Sequence, residues 1–139
     1  QCTAQMMATI PACASSGQDL SGEDLIRAPH WSSNLGIHYT MPAQALQAQL
    51  TFATDVLLSG SYYVNIDLDP AEKQDSYALL NARINLAWPD RGWQVAFIGR
   101  NLTDEKVLTG GADGPLQPGA HFGVLIPPRV FEFAVSYNF

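Results

Sequence analysis

The sequence predicts an all-β chain: antiparallel, up-and-down strands of a partial transmembrane β-barrel, about five of them, with long outer loops. Three observations predict it. Apolar and polar residues alternate over five segments with the two-residue period of a strand. Long and short connections alternate along the chain, as in a sheet looped at one end and trimmed at the other. All but one of the charged residues inside the strands avoid the apolar parity. The expected strands cover roughly 30–41, 46–64, 76–88, 92–106 and 128–139. The connections 1–29, 65–75 and 107–127 are long or polar, whereas 42–45 and 89–91 are short.

In the first segment Trp31, Leu35, Ile37, Tyr39 and Met41 alternate with Ser32, Asn34, Gly36, His38 and Thr40, and Pro42 is expected to end the strand. In the second, Leu46, Leu50, Phe52, Val56 and Leu58 alternate with Gln47, Gln49, Thr51 and Asp55. The part from Ala43 to Thr54 also suits a helix, since Ala, Gln and Leu favour one and Leu46 and Leu50 are four apart; the alternation favours the strand. The third segment puts Ala78, Leu80, Ala82, Ile84, Leu86 and Trp88 on one face and Asn81, Arg83, Asn85 and Ala87 on the other. Pro89, Asp90, Arg91 and Gly92 then read as a tight turn. Trp93, Val95 and Phe97 return opposite Gln94, Ala96 and Arg100, so the hairpin carries a Trp on each side of its turn. At the end, Phe131, Phe133, Val135 and Tyr137 alternate with Glu132, Ala134, Ser136 and Asn138.

Composition narrows the class. Of 139 residues, 47% are hydrophobic and only 14% charged, against about 25% charged in soluble domains. A net charge of −6 leaves no clustered Lys and Arg for nucleic acid. Aromatic and β-branched residues are too frequent for a long disordered acidic tail. Residues 28–54 carry no Asp, Glu, Lys or Arg, yet Ser32, Asn34, His38, Gln47 and Gln49 interrupt any run of the roughly 20 apolar residues a membrane helix needs. The chain opens at Gln1 without a basic n-region, the start expected of a fragment or a processed product.

The placement of charge separates a membrane barrel from a soluble β-sandwich. Fifteen of the twenty charged residues fall in expected loops, turns or strand tips. Of the five inside strands, Asp55, Arg83, Arg100 and Glu132 have the polar parity; Arg129 alone has the apolar parity, at a strand end beside Pro127 and Pro128. The polar face is otherwise Ser, Thr, Asn, Gln, Gly and Ala, which suits a lumen packed against protein. A sandwich would turn many Lys and Glu to water on that face. Trp and Tyr near the turns of an apolar band also mark a membrane barrel. The alternative is a soluble β-sandwich binding module with Trp31, Trp88 and Trp93 in its core.

Particular residues carry a family likeness. Trp93-Gln94-Val95-Ala96-Phe97-Ile98-Gly99-Arg100-Asn101-Leu102-Thr103-Asp104-Glu105 resembles the penultimate strand of TonB-dependent outer-membrane receptors, W-x-v-x-l-x-G-x-N-L-T-D-E. Tyr77 to Ile84 resembles their Y-x-l-l-N-a-r-i strand, and Pro128-Arg129-Val130-Phe131 through Tyr137-Asn138-Phe139 is similar to their P-R-t-y…Y-x-F terminus. Leu20-Ser21-Gly22 with Ala28-Pro29-His30-Trp31 resembles the L-x-G…A-P-x-W start of an earlier strand. The resemblance spans about residues 20 to 139. It implies residence in the bacterial outer membrane and import of a scarce nutrient, most often a ferric siderophore, driven through the TonB energy-transducing complex; it implies no enzyme.

By the same resemblance, Phe133, Val135, Tyr137 and Phe139 correspond to the signal read by the barrel-assembly machinery. Asp55, Arg83, Arg100 and Glu132 are expected to face the lumen and the plug domain. The chain contains no plug and no TonB box, and its strands amount to about a quarter of a 22-stranded barrel. Five strands cannot close. Residues 1–29 are expected to be an extracellular loop region and 30–139 the C-terminal strands of the barrel.

Other candidates read more plainly. Cys2 and Cys13, on the long-loop side, are expected to form a disulfide if that side is extracellular; two unpaired or differently paired thiols are the alternative. Without a C-x-x-C motif, and with three scattered His, no zinc site is expected. Asn65, Asp67, Asp69 and Asp75 offer oxygen ligands for Ca²⁺, but the EF-hand Gly and Glu are absent, and the segment reads as a solvated acidic loop. Gly110, Gly111, Gly114 and Gly119 with Pro115 and Pro118 read as a flexible loop lacking the Gly-Lys-Ser/Thr of a phosphate-binding loop. The Asn101-Leu102-Thr103 sequon is chance in such a protein. His38 and Asp55 share the lumen parity on adjacent strands, but no nucleophile elbow accompanies them. No metal or cofactor is expected.

Overall fold

Strand-forming runs are punctuated by left-handed residues, with Gln47, Gly92 and Asn101 each standing at a strand boundary of the long sheet. The structure, a computed structural model, describes residues 20–117 and 119–138. Cys2, Cys13 and Phe139 lie outside the described residues. Among the latter, nine strands follow in chain order: β1 (Ser32–Ala43), β2 (Ala48–Ser59), β3 (Tyr62–Tyr63), β4 (Lys73–Gln74), β5 (Tyr77–Trp88), β6 (Trp93–Arg100), β7 (Leu108–Asp113), β8 (His121–Leu125) and β9 (Val130–Tyr137). They divide between two units. Of the described residues, the sheet unit comprises 32–58, 78–105 and 127–138; the loop unit comprises 20–31, 59–77 and the described part of 106–126.

The sheet unit is one sheet in the order β1-β2-β5-β6-β9, up-and-down and not closed. The five long alternating segments are its strands. β6 pairs antiparallel with both β5 and β9. The register places Trp88, Trp93 and Tyr137 in one row, then Leu86, Val95 and Val135, then Ile84, Phe97 and Phe133. Side chains alternate across a strand, so these rows share a face. The opposite face carries Asn85, Ala96 and Ala134, and Arg83, Ile98 and Glu132. Ile98 and Val130 are apolar residues on that face.

The apolar face is left open rather than covered: Ile37 is 71% and Phe133 70% exposed, with Leu35, Tyr39, Phe97, Phe131 and Val135 also open. Among the described residues, the buried apolar side chains of this sheet are Ala48 and Ala96. A sandwich would bury the apolar face beneath a second sheet.

The strand ends differ from expectation for local reasons. β1 runs through Pro42 to Ala43; it is an outermost strand, where a missing N–H is tolerated. Between Ala43 and Thr54 the helix is confined to one 3-10 turn, Gln44–Leu46, and Gln47 leaves it with φ 49°. β2 stops at Ser59 instead of 64. Gly60 donates to the Trp31 carbonyl at 3.0 Å there, and Tyr62–Tyr63 pair with Lys73–Gln74 as a separate ribbon. β6 stops at Arg100 instead of 106 because Asn101 adopts φ 50°.

In the loop unit, the segment read as a flexible Gly-rich loop instead contains the β7–β8 hairpin, with a bulge between Leu108 and Gly110. Its small residues make room for a core. A Cβ on Gly111 would stand 2.9 Å from Val64 Cγ2, and Val64 and Val107 are each only 2% exposed. The Tyr62 hydroxyl donates to the Leu108 carbonyl at 2.9 Å, and Gln74 Oε1 accepts the Leu108 N–H at 2.6 Å. These bonds knit β3, β4 and β7.

Candidate functional site

The polar face of the sheet is laced by cross-strand contacts between short side chains. Thr40 and Thr51 hydroxyls meet at 3.0 Å, and Gln94 Nε2 donates to Asn85 Oδ1 at 2.7 Å. Asn81 Nδ2 donates to Asp55 at 2.8 Å, fixing that half-buried carboxylate. Arg100 Nε donates to Glu132 Oε1 at 2.9 Å, with both side chains substantially exposed. Such a pair contributes at most about 1 kcal/mol in water. Arg83 is exposed on the same face, with Ile98 opposite it. Of the four residues expected on this face, the fold joins Arg100 and Glu132 and keeps Asp55 with Asn81. His38 meets Thr40 at 3.3 Å, not Asp55.

The Asn-Leu-Thr-Asp-Glu segment acts as a corner. Asn101 is buried, and its Nδ2 donates to the carbonyls of Glu105 (2.9 Å) and Pro127 (3.1 Å), while its Oδ1 accepts the Glu105 N–H at 2.9 Å. The Thr103 hydroxyl donates to the Ala78 carbonyl at 2.9 Å. Asp104 Oδ1 accepts the Arg129 N–H at 2.9 Å, and its Oδ2 lies 3.8 Å from the Arg129 guanidinium. Arg129, the one strand charge of apolar parity, is thus held at the strand start by a carboxylate.

Aromatic residues gather on the apolar face. Trp93 and Tyr137 rings lie 4.8 Å apart beside the β5–β6 turn, tilted by 42°, and Phe97 stacks on Phe131 at 5.8 Å. Trp88 Nε1 donates to the Leu46 carbonyl at 2.9 Å, linking the two short turns. Phe133, Val135 and Tyr137 are all exposed along β9.

In the loop unit, the structure builds a cluster that sequence spacing hides. The 3-10 turn Pro70–Glu72 is capped by Asp69, whose Oδ1 accepts the Ala71 N–H at 2.8 Å. The turn presents Glu72 to the β7–β8 hairpin, where Asp113 and His121 are register partners. His121 Nδ1 lies 3.0 Å from Asp113 Oδ1 and 3.6 Å from Glu72 Oε1. Asp69, Asp113 and His121 offer donor atoms all within 4.8 Å of one another. Asp69 is 2% and Glu72 3% exposed; Asp69 Oδ2 and both Glu72 oxygens receive no well-formed hydrogen bond.

Burial pushes the Glu72 carboxyl above the ordinary carboxylate range; the nearby Asn65 amide pulls it back, the charges of Asp67 and Asp113 add to the rise, and His121 opposes it. Burial raises Asp67 likewise, against the Asp69 backbone N–H. The segment expected to be a solvated acidic loop therefore turns Asp67 and Asp69 inward, leaving Asp75 exposed. Its partners come from a hairpin some forty residues later. The signal available in the sequence was the density of Asp and Glu between 67 and 75, without the positions that complete it.

A family model described as TonB dependent receptor-like, beta-barrel matches residues 7–102. Among solved structures, the chain is similar to BauA, the ferric preacinetobactin receptor from Acinetobacter baumannii, with a TM-score of 0.59 and 20% identity over 83% of this chain. That likeness shows the fold. The chain spans 16% of the length of that receptor. No curated protein matches it.

Proposed function

Because this chain belongs to the TonB-dependent receptor β-barrel family, we propose that it forms the C-terminal wall of a bacterial outer-membrane receptor importing a scarce ligand of the ferric-siderophore kind. The observation that carries this reading is the register-matched apolar face left exposed across β5, β6 and β9, with Arg83, Arg100 and Glu132 on the opposite face. Lipid is the solvent that such a face suits: Arg or Lys at a barrel's lipid midplane costs about 2–4 kcal/mol.

In this reading the 30–139 region lines the barrel and residues 1–29 contribute an extracellular loop. Asp55, Arg83, Arg100 and Glu132 meet the receptor's own plug domain. Phe133, Val135, Tyr137 and Phe139 are the strand read by the barrel-assembly machinery. Energy reaches the plug through the TonB complex. The chain works as a transporter wall, and ligand choice belongs to the loops and the plug. BauA, named as a ferric preacinetobactin receptor, supports the iron-chelate class.

The test is uptake of radio-iron, supplied as a hydroxamate or a catecholate ferric siderophore, by cells with and without the full-length receptor. The expected result is receptor-dependent uptake that stops when the proton gradient is collapsed. Equal uptake with and without the receptor, or uptake indifferent to the gradient, overturns the proposal.

A further inference from the structure

Asp69 and Asp113 bring two carboxylates within 4.8 Å of the His121 imidazole, Glu72 lies 3.6 Å from it, and Asp69 and Glu72 are almost wholly removed from water. Buried carboxylates without partners are costly and occur where something neutralises them. The adjacent cation in sequence, Lys73, is not that partner, because its ammonium lies over the Tyr63 ring at 5.2 Å. Asp69 divides its labour: one oxygen caps the turn while the other is left buried without a hydrogen bond. Glu72 makes no well-formed hydrogen bond through either oxygen; the Asn65 amide is nearby and Oε1 faces His121 at 3.6 Å.

We propose that Asp69, Glu72, Asp113 and His121 form a binding site for a divalent cation of the class that takes imidazole together with carboxylate, represented by Zn²⁺ or Mn²⁺. Ca²⁺ draws on oxygen ligands alone, whereas imidazole beside carboxylate suits first-row transition metals. The spacing fits. Donors on one ion with bonds of about 2.0–2.2 Å stand roughly 3–4 Å apart, so the 4.8 Å limit of Asp69, Asp113 and His121 closes with a shift of about 1 Å. Asp113, 43% exposed in its side chain, supplies both the freedom to shift and a way in from solvent. The ion would pin the Pro70–Glu72 turn to the β7–β8 hairpin, two segments of the loop unit with separate places in the sequence.

The full-length receptor, purified in detergent and stripped with a chelator, is titrated by calorimetry with Zn²⁺, Mn²⁺ and Ca²⁺ in turn, and bound metal is counted by mass spectrometry. Expected is one equivalent of Zn²⁺ or Mn²⁺ whose affinity falls at least tenfold in both His121→Gln and Asp113→Asn. Asp113→Asn changes a partly exposed residue, so a heat-modifiable band identical to the parent's keeps the comparison valid should a buried substitution misfold. No difference in metal content between parent and Asp113→Asn, or Ca²⁺ binding tighter than both other ions, overturns the assignment. The titration reads the metal alone, so its failure leaves the transport proposal standing.

Discussion

The side-chain oxygen of Asn81 accepts the backbone N–H of Asn101 at 3.0 Å, fastening the left-handed residue that ends β6 to the middle of β5. The same Asn81 donates to Asp55 on β2. One amide thus ties three neighbouring strands where the chain turns away from the sheet. Asn tolerates left-handed backbone better than other residues with a side chain, and its amide serves both the turn and the strand.

Asn101→Ala removes a buried amide that bonds Glu105 twice and Pro127 once. At about 1 kcal/mol net per bond, with unsatisfied carbonyls left behind, the expected loss is about 2–3 kcal/mol. The midpoint of the heat-modifiable transition on a gel measures it. Asn101→Gly keeps the backbone geometry and should recover only the conformational part, roughly 1 kcal/mol.

Facing is tested by a matched pair on β5. Ile84→Arg places charge on the exposed apolar face and is expected to cost about 2–4 kcal/mol in a bilayer. Arg83→Leu, one residue away on the polar face, is expected to leave insertion intact. Fractionation and the heat-dependent gel shift read both. A well-inserted Ile84→Arg together with improved folding of Arg83→Leu would reverse the two faces.

Gly92 leaves the Pro89–Arg91 turn at φ 70°, and a Cβ there would collide with the Asn138 carbonyl. Gly92→Ala therefore adds a clash to the roughly 1–2 kcal/mol of left-handed backbone, and should lower the midpoint more than Gly22→Ala. Gly22 has φ 82° but open space around its Cα, so the difference between the two variants isolates the clash.

Burial, reinforced by Tyr77, raises the Tyr62 hydroxyl from 10.0 to about 12, with Arg27 opposing. The folded chain holds its proton more tightly than the unfolded one. The contribution is complete below pH 10 and is lost as pH climbs to about 12. Tyr62→Phe should cost about 1 kcal/mol at neutral pH through the missing bond to Leu108. It should also flatten the alkaline fall. Thermal midpoints of the two proteins across this interval decide.

The long strands were legible because a two-residue period over eight to twelve residues resists misreading: Ile84, Leu86 and Trp88 declare their face against Arg83, Asn85 and Ala87. Strand ends were less so. Nothing in the composition around Arg100 announces that Asn101 will turn left-handed, and Tyr62–Tyr63 continue the β2 pattern while pairing elsewhere. The β7–β8 hairpin escaped because Gly111, read as looseness, serves close approach to Val64. The carboxylate–histidine cluster was hidden for a different reason. Asp69 and Glu72 acquire Asp113 and His121 only through tertiary contact, and no local period encodes that meeting.

β1 and β9 are the outermost strands of the sheet, and each therefore carries a row of backbone groups on one side awaiting a neighbour. Pro42, near the end of β1, is the only proline within either strand, and Glu132 is the only charge within them. Long edges with so few gatekeeping residues template further strands. Expressed as an isolated segment, this sheet should stack edge to edge into β-rich aggregates, so that a solubility screen would select against its native pairing.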